Sequence, residues 1–288
     1  MPIRKLLLSL TGTEIGEAAL VCALIIARDW NAHLCVLHVR VDSREVAPLA
    51  GEGLSGAMIE DMMRATEAES AQRYRAAQAL FHRVTAEQGV PVRAPRPGAD
   101  GPTASLETVT GREEDLVAQF ARLADLTVVP HPGSEDGASA SDSLHAVLFD
   151  SGRPVLIAPP VVPETIGRRC CVAWNGTAES AAAVQAILPW LQRAEAVQVL
   201  TAEGYQRRGP SAESLLPYLA LHGVTARVAR FRPVERSVGA GLLAAAREFG
   251  ADLLGMGAYS HSRLRQFILG GVTRHVLEHA ALPVLMCR

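Results

Sequence analysis

The sequence lacks both an excess of charge of one sign and any long run of apolar residues. Its 288 residues carry 28 Lys and Arg against 30 Asp and Glu, a formal net charge of -2. This balance argues against a broad electrostatic surface for nucleic acid. No apolar run reaches the roughly 18 residues of a membrane-spanning helix, and the short run after Lys5 is broken too early for a signal peptide. We therefore expect no membrane span and a cytoplasmic location.

Several enzyme and metal signatures are also missing. The five cysteines form no C-x-x-C pair and most lie in apolar runs, which is typical of buried, reduced thiols. Neither the phosphate loop G-x-x-x-x-G-K-[ST] nor the nucleophile motif G-x-S-x-G occurs. His275 and His279 have metal-ligand spacing on a predicted helix, but no Cys or carboxylate motif accompanies them. The sequence predicts no metal site and no catalytic residue.

An internal repeat organises the chain. The segment Ala124–Pro130 recurs as Ala251–Gly257, and Leu7–Glu14 resembles Val172–Glu179, with a longer middle in the first copy. Prolines at 159, 160 and 163 mark a stiff connection between the copies. The repeat predicts a first domain over 1–158, a linker over 159–167 and a second domain over 168–288.

Each copy alternates buried strands with helices, which predicts an α/β fold of two tandem, doubly wound, five-stranded parallel sheets. The predicted strands are 3–10, 33–41, 104–109, 126–129 and 155–158, then 169–174, 197–200, 225–231, 253–256 and 284–287. A long charged helix over 54–88 has no assigned function, and the helix over 211–222 is expected to be interrupted at Pro217. The last strand of each copy needs cover and is expected to pair with the other across a pseudo-twofold axis.

Two places at the carboxyl ends of the second copy's strands carry chemical information. Asn175 and Gly176 follow its first strand, where a ligand could meet a polar side chain and bare backbone. The same residues also suit a simple tight turn in which Thr177 caps the next helix. Both interpretations remain open at this stage.

The second place runs from the end of a strand to the start of a helix. Gly257 ends the strand, and Gly270 and Gly271 open the helix, so backbone N–H groups could face an anion there. Arg263 and Arg265 between them could neutralise phosphate charge. A plain surface loop, with glycines that only shape turns, is the alternative interpretation.

This pattern resembles the signature of the universal stress protein family, G-x2-G-x9-G-[ST], followed by a short helix and a P-V-L strand. Gly257 and Gly270 match its first and third glycines, and nine residues, 261–269, separate positions 260 and 270. The ending Leu282–Met286 also fits, and the resemblance covers both copies. It implies an adenine nucleotide alpha hydrolase-like fold in each copy, with two such domains in one chain.

The resemblance implies a site for ATP, with Mg, in the second copy. The glycine loop would hold phosphates and ribose, the first strand tip would contact the nucleoside, and the second strand would contact adenine. The positions concerned are Asn175, Gly176, Ala202, Gly257, Ser260, Arg263, Gly270, Gly271, Val272 and Thr273.

The chain departs from the family pattern in both copies. In the second, Ser260 replaces a glycine, Gly271 replaces a Ser or Thr, and Asn175 replaces an Asp, which weakens the inference of ATP binding. In the first, Thr11 stands at the Asp position and only Gly133 matches a signature glycine. Three acidic residues of that loop would repel phosphate: Glu135, Asp136 and Asp142. We expect no nucleotide in the first copy.

The resemblance implies a cytoplasmic stress-response protein that acts as a binding or regulatory module. Its partners would be an adenine nucleotide and the other half of the same chain as a pseudo-dimer, or a second chain as a homodimer, without nucleic acid or membrane. Two alternatives remain. One is a slow ATPase or nucleotidyl-transferring enzyme on this scaffold, and the other is a structural interaction module without nucleotide.

Overall fold

The computed structural model describes residues 3–11, 14–42, 55–96, 98, 101–132, 137–204, 209–259 and 271–288. The elements of the first half are β1 (Lys5–Ser9), α1 (Glu14–Trp30), β2 (His33–Arg40), α2 (Gly56–Glu87), β3 (Thr103–Thr110), α3 (Glu113–Ala121), β4 (Leu126–Val129), α4 (Gly137–Asp150) and β5 (Val155–Ile157). Those of the second half are β6 (Arg169–Ala173), α5 (Ala178–Leu191), β7 (Ala196–Ala202), α6 (Ala212–Leu221), β8 (Ala226–Phe231), α7 (Val238–Phe249), β9 (Leu253–Gly257), α8 (Gly271–His279) and β10 (Val284–Cys287).

The strands form one ten-stranded sheet in the order β3-β2-β1-β4-β5-β10-β9-β6-β7-β8. Each half is parallel and doubly wound, which confirms the predicted fold class. The two predicted sheets are continuous because β5 and β10 pair antiparallel, with Leu156 opposite Leu285. This pairing confirms the expectation for the last strands and gives each of them the cover that an edge strand needs.

Helices cover both faces of the sheet. Successive residues of a strand point to opposite faces, so Leu6 and Leu8 of β1 join the core under α1, α2, α5 and α6. Leu7 joins the core under α3, α4, α7 and α8. Each core contains buried residues from both halves, and the two halves therefore share their packing across the β5–β10 pair.

Side chains of the two halves also contact each other on both sides of that pair. On one face, the Trp30 ring meets the Trp190 ring edge-on at 5.6 Å, and the Arg193 guanidinium lies 4.4 Å from the centre of the Trp30 ring. On the other face, His145 Nε2 and the Tyr259 hydroxyl share a hydrogen bond of 2.9 Å. Specific contacts thus join the halves above and below the sheet.

The aspartates of the internal repeat explain part of its recurrence. The Asp125 carboxylate accepts hydrogen bonds from the backbone N–H groups of Arg4 and Lys5, at the start of β1. The Asp252 carboxylate binds the start of β6 in the same way, through Arg168 and Arg169. It also accepts hydrogen bonds from the N–H of Gly167 and the hydroxyl of Thr165, so the end of the proline-rich connection is held too.

Two further predictions concern helices and cysteines. The interruption expected at Pro217 is wrong, because α6 runs unbroken over Ala212–Leu221. All five cysteines are buried and unpaired. Cys170 and Cys171 point into opposite cores, as adjacent strand residues must. Burial raises the pKa of Cys171 and that of Cys287 to about 12.

Among the described residues, no helix is both long and apolar enough to cross a membrane. In the same part of the chain, no cluster of three or more His, Cys, Asp or Glu has the arrangement of a metal site. The rings of His275 and His279 stack with centres 4.2 Å apart, and His279 Nδ1 lies 3.0 Å from the carbonyl oxygen of His275.

Candidate functional site

The candidate site of the second half lies at the carboxyl ends of β6 and β9. These strands are neighbours, while the chain continues from β6 to β7 on the other side, so a topological switch point lies between them. Ligands of open α/β sheets bind at such points. Asn175, Gly176 and Gly257 lie at this edge, as predicted, with Ala202 at the end of β7. Three other predicted site residues lie outside the described residues: Ser260, Arg263 and Gly270.

Asn175 is held by its own turn. Its Oδ1 accepts hydrogen bonds from the backbone N–H of Thr177, at 3.2 Å, and from the Thr177 hydroxyl, at 2.9 Å. The Thr177 hydroxyl in turn accepts the N–H of Ser180 and caps α5. The acceptor oxygen of Asn175 is therefore engaged in the turn, and its amide group is the part left to donate to a ligand.

Gly176 lies against a segment that the sequence did not implicate. Its φ of +80° favours glycine, and a Cβ there would stand 2.9 Å from the carbonyl oxygen of Pro210. A Cβ on Gly209 would collide with the backbone of Gly176, so the two glycines make a direct backbone contact. The indole N–H of Trp174 donates to the Pro210 carbonyl at 2.9 Å. Residues 209–210 thus wall one side of the turn.

Gly257 is tightly packed from behind. A Cβ there would lie 2.6 Å from the Ser180 nitrogen and 2.6 Å from the carbonyl carbon of Glu179, in the first turn of α5. A Cβ on Gly255 would lie 2.8 Å from the tip of Ile187 in the same helix. The close packing of α5 on β9 therefore explains why both positions are glycine, with or without a ligand.

The start of α8 is open by contrast. Gly271 is exposed, and a Cβ there would meet nothing within 4 Å. Val272 is half-buried and Thr273 is buried, with 6% of its surface exposed. The first N–H groups of a helix have no partner within the helix, and its dipole favours an anion. An anion could therefore approach the backbone at Gly271.

A cavity of about 180 Å³ lies at the equivalent edge of the first half. It is formed at the carboxyl ends of β1, β2 and β3, beneath α2, and Thr11 lines it. Glu113, at the start of α3, accepts hydrogen bonds from the hydroxyls of Ser9, at 2.9 Å, and Ser143, at 3.1 Å. Sequence reasoning missed this cavity because its walls come from four separate parts of the chain.

Comparison with known proteins gives one family match and several structural matches. Residues 168–288 match the model of the universal stress protein family. A universal stress protein from Archaeoglobus fulgidus DSM 4304 superposes with a TM-score of 0.66 at 14% identity, covering 99% of this chain and 98% of that one. A functionally unknown protein from Pseudomonas aeruginosa PAO1 gives a TM-score of 0.55 at 15% identity, covering 99% and 92%. No curated protein sequence matches.

Proposed function

We propose that this chain, whose residues 168–288 match the model of the universal stress protein family, is a regulatory protein that binds an adenine nucleotide, ATP with Mg, in its second half. One observation carries the proposal. The helix that follows β9 in the chain, α8, begins at Gly271, which is exposed and unobstructed, and β9 is one of the two strands at the switch point. Bare backbone at a helix N-terminus suits phosphate oxygens.

The residues at this site are not equally suited to contact a nucleotide, so each has its own proposed role. Gly271 offers its N–H to a phosphate, and the Asn175 amide is left to donate to a ribose hydroxyl. In this proposal Ala202, half-buried at the end of β7, contacts adenine through its backbone. Gly257 allows α5 to approach, and Val272 and Thr273 support the start of α8. For Ser260, Arg263 and Gly270 a place in the nucleotide site stays a prediction.

The sheet that the two halves share supports a regulatory role. Tyr259 follows β9 by two residues and is hydrogen-bonded to His145 on α4 of the first half. A nucleotide that altered the end of β9 would therefore act on a contact between the halves and shift the balance of their arrangements. Five unpaired thiols support a reducing compartment such as the cytoplasm.

Thermal unfolding of the full chain with and without millimolar Mg-ATP tests the proposal. A ligand at 100 times its Kd stabilises by about 2.7 kcal/mol, a clear rise in Tm. Gly271→Glu should abolish that rise, because a carboxylate there repels phosphate but suits a helix N-terminus and has space. Gly56→Glu is the matched control, since it makes the same change at the unobstructed start of α2.

Two results would refute nucleotide binding at this place. The first is no rise in the Tm of the unmodified chain, which would favour an interaction module without nucleotide. The second is a rise of equal size in Gly271→Glu and Gly56→Glu, which would move the nucleotide away from α8.

A further inference from the structure

Tyr259 has a backbone conformation that its residue type disfavours. Its φ is +54°, in the left-handed region, directly after Ala258, whose N–H donates to the Cys287 carbonyl at 2.8 Å at the end of the β9–β10 pair. A side chain crowds the neighbouring carbonyl in this region, so a tyrosine adopts it where surrounding contacts hold it. Glu235 and Arg236 also have positive φ but lie in a tight turn, whereas Tyr259 follows a strand.

The side chain of Tyr259 is held by α4 of the first half. Its hydroxyl lies 2.9 Å from His145 Nε2. Its ring lies against two rings of α4, with centres 5.6 Å from that of His145 and 5.2 Å from that of Phe149. The Arg288 guanidinium, at the end of β10, lies 4.1 Å from the centre of the Phe149 ring. A residue of the second half with a disfavoured backbone is thus anchored on the first half.

This contact runs in one direction, although the halves are repeats. The repeat aligns Pro132 with Tyr259, and it aligns Arg274 and Glu278 with His145 and Phe149. Arg274 and Glu278 pair with each other at 2.7 Å, and proline has neither a hydroxyl nor an aromatic ring. The chemistry of the Tyr259 contact is therefore not repeated at the aligned positions. It is a specific feature of the end of β9 and not a by-product of the duplication.

The chain that leaves Tyr259 leads to the candidate site. Gly257, at the switch point, precedes it by two residues, and the predicted site residue Ser260 follows it. Rotation about the N–Cα bond of Tyr259 moves its Cβ and the chain after it together, relative to β9. A change of φ from the left-handed to the extended region would therefore take the ring away from α4 and also redirect the chain toward Ser260.

We propose that Tyr259, His145 and Phe149 form a conformational latch between the two halves. In the closed latch, which this structure shows, α4 holds the ring and thereby the left-handed backbone of Tyr259. In the open latch, the ring leaves α4 and the backbone returns to the φ of an ordinary tyrosine. A ligand that prefers one path of the chain into the site then shifts the latch, and the latch shifts its affinity. The latch itself needs no ligand, and its control of nucleotide affinity rests on the proposed function.

Amide hydrogen exchange of the full chain tests the latch without a ligand. The N–H of Ala258 is the reporter, and the N–H of Leu254, which donates to the Pro283 carbonyl at 3.0 Å, is the reference at the other end of β9. We expect His145→Ala to speed exchange at Ala258 about fivefold or more and to leave Leu254 unchanged. His222→Ala is the matched control, because it removes a ring contact with a tyrosine within α6. Equal exchange at Ala258 in His145→Ala and the unmodified chain would overturn the proposal.

Substitution of Tyr259 separates a latch from ordinary packing and decides the question if His145→Ala folds poorly. Tyr259→Ala and Tyr259→Gly both lose the ring, but glycine adopts a left-handed φ without strain. The latch predicts that exchange at Ala258 is faster in Tyr259→Ala than in Tyr259→Gly. A contact that only packs predicts the reverse, because glycine is the more flexible residue. Faster exchange in Tyr259→Gly would therefore refute the latch.

Calorimetry with Mg-ATP tests the link between the latch and the candidate site. The closed latch accompanies the present arrangement of Asn175 and Gly271, so opening should weaken nucleotide binding. We expect the Kd to rise about fivefold or more in His145→Ala, and Mg-ATP to slow exchange at Ala258 in the unmodified chain. An unchanged Kd in His145→Ala would refute the link. Absence of Mg-ATP binding to the unmodified chain would refute the proposed function instead, and the exchange results would still decide the latch.

Discussion

His33 is one of three histidines whose pKa is lowered by desolvation in the folded chain. Its ring lies between two hydroxyls of β3, with Nδ1 2.7 Å from Thr103 Oγ1 and Nε2 3.0 Å from Ser105 Oγ. Desolvation is the largest cause that lowers its pKa. Desolvation also lowers the pKa of His131 and that of His145. All three histidines therefore make folding depend on pH in the same direction.

The sign follows from proton linkage. Each of these pKa values is lower in the folded chain than the ordinary histidine value of 6.5, so the unfolded chain binds more protons as the pH falls. Their stabilisation is fully present above that value and is lost toward the lowered pKa. We expect Tm to fall from pH 7.5 to pH 5.5, and His33→Gln to show a smaller fall. His82→Gln, at an exposed position, should keep the full pH dependence, and an unchanged dependence in His33→Gln would contradict the assignment.

At the scale of elements, the packing of α5 on β9 determines what the signature glycine does. Gly255 and Gly257 alternate with Met256, so both face α5 and allow it to approach the strand. The atoms nearest to Gly257 are backbone, whereas the nearest atom to Gly255 is the end of a flexible side chain. The same substitution at the two positions therefore separates a rigid contact from a yielding one.

We expect Gly257→Ala to lower the free energy of unfolding by about 1–3 kcal/mol, because backbone and helix must shift. Gly255→Ala should cost less, since Ile187 can change its rotamer. Urea denaturation of the two variants measures the difference. Equal stability of Gly257→Ala and the unmodified chain would mean that α5 lies farther from β9. The glycine would then be needed only for the close approach of a ligand.

The sequence predicted the bounds of the elements well, but it did not predict which groups contact each other. The strand periods and the caps located β9 to within a residue and α8 to within a residue. They could not show that Asn175 Oδ1 is used by Thr177, or that Gly209 touches Gly176. The first depends on a rotamer, and the second joins residues that are distant in the chain.

At the scale of the whole molecule, the two halves share one sheet and contact each other on both of its faces. The β5–β10 pair continues the sheet, and the Tyr259–His145 hydrogen bond and the Trp30–Trp190 contact lie on opposite faces of it. Burial raises the pKa of Tyr259 to about 12, so its hydroxyl keeps its proton and the hydrogen bond persists across the neutral range.

We therefore expect one urea transition, coincident by circular dichroism and tryptophan fluorescence. Tyr259→Phe should lower the free energy of unfolding of this single transition by about 1 kcal/mol, because it removes the hydrogen bond to His145. Tyr218→Phe, on the surface of α6, should leave it unchanged. Two separate transitions, of which Tyr259→Phe moves only one, would show that the halves unfold independently.

The sequence by itself determined the order of elements, the repeat and the edge of the sheet at which the candidate residues lie. These follow from hydrophobic period, turn residues and the rule that parallel strands end together, all of which are local or topological. Only the tertiary structure decided that α5 packs against Gly257, that Gly209 contacts Gly176, and that His38 and Glu113 line one cavity. Each of these depends on which surfaces meet at close range, and such contacts between distant segments leave no periodic signal in the chain.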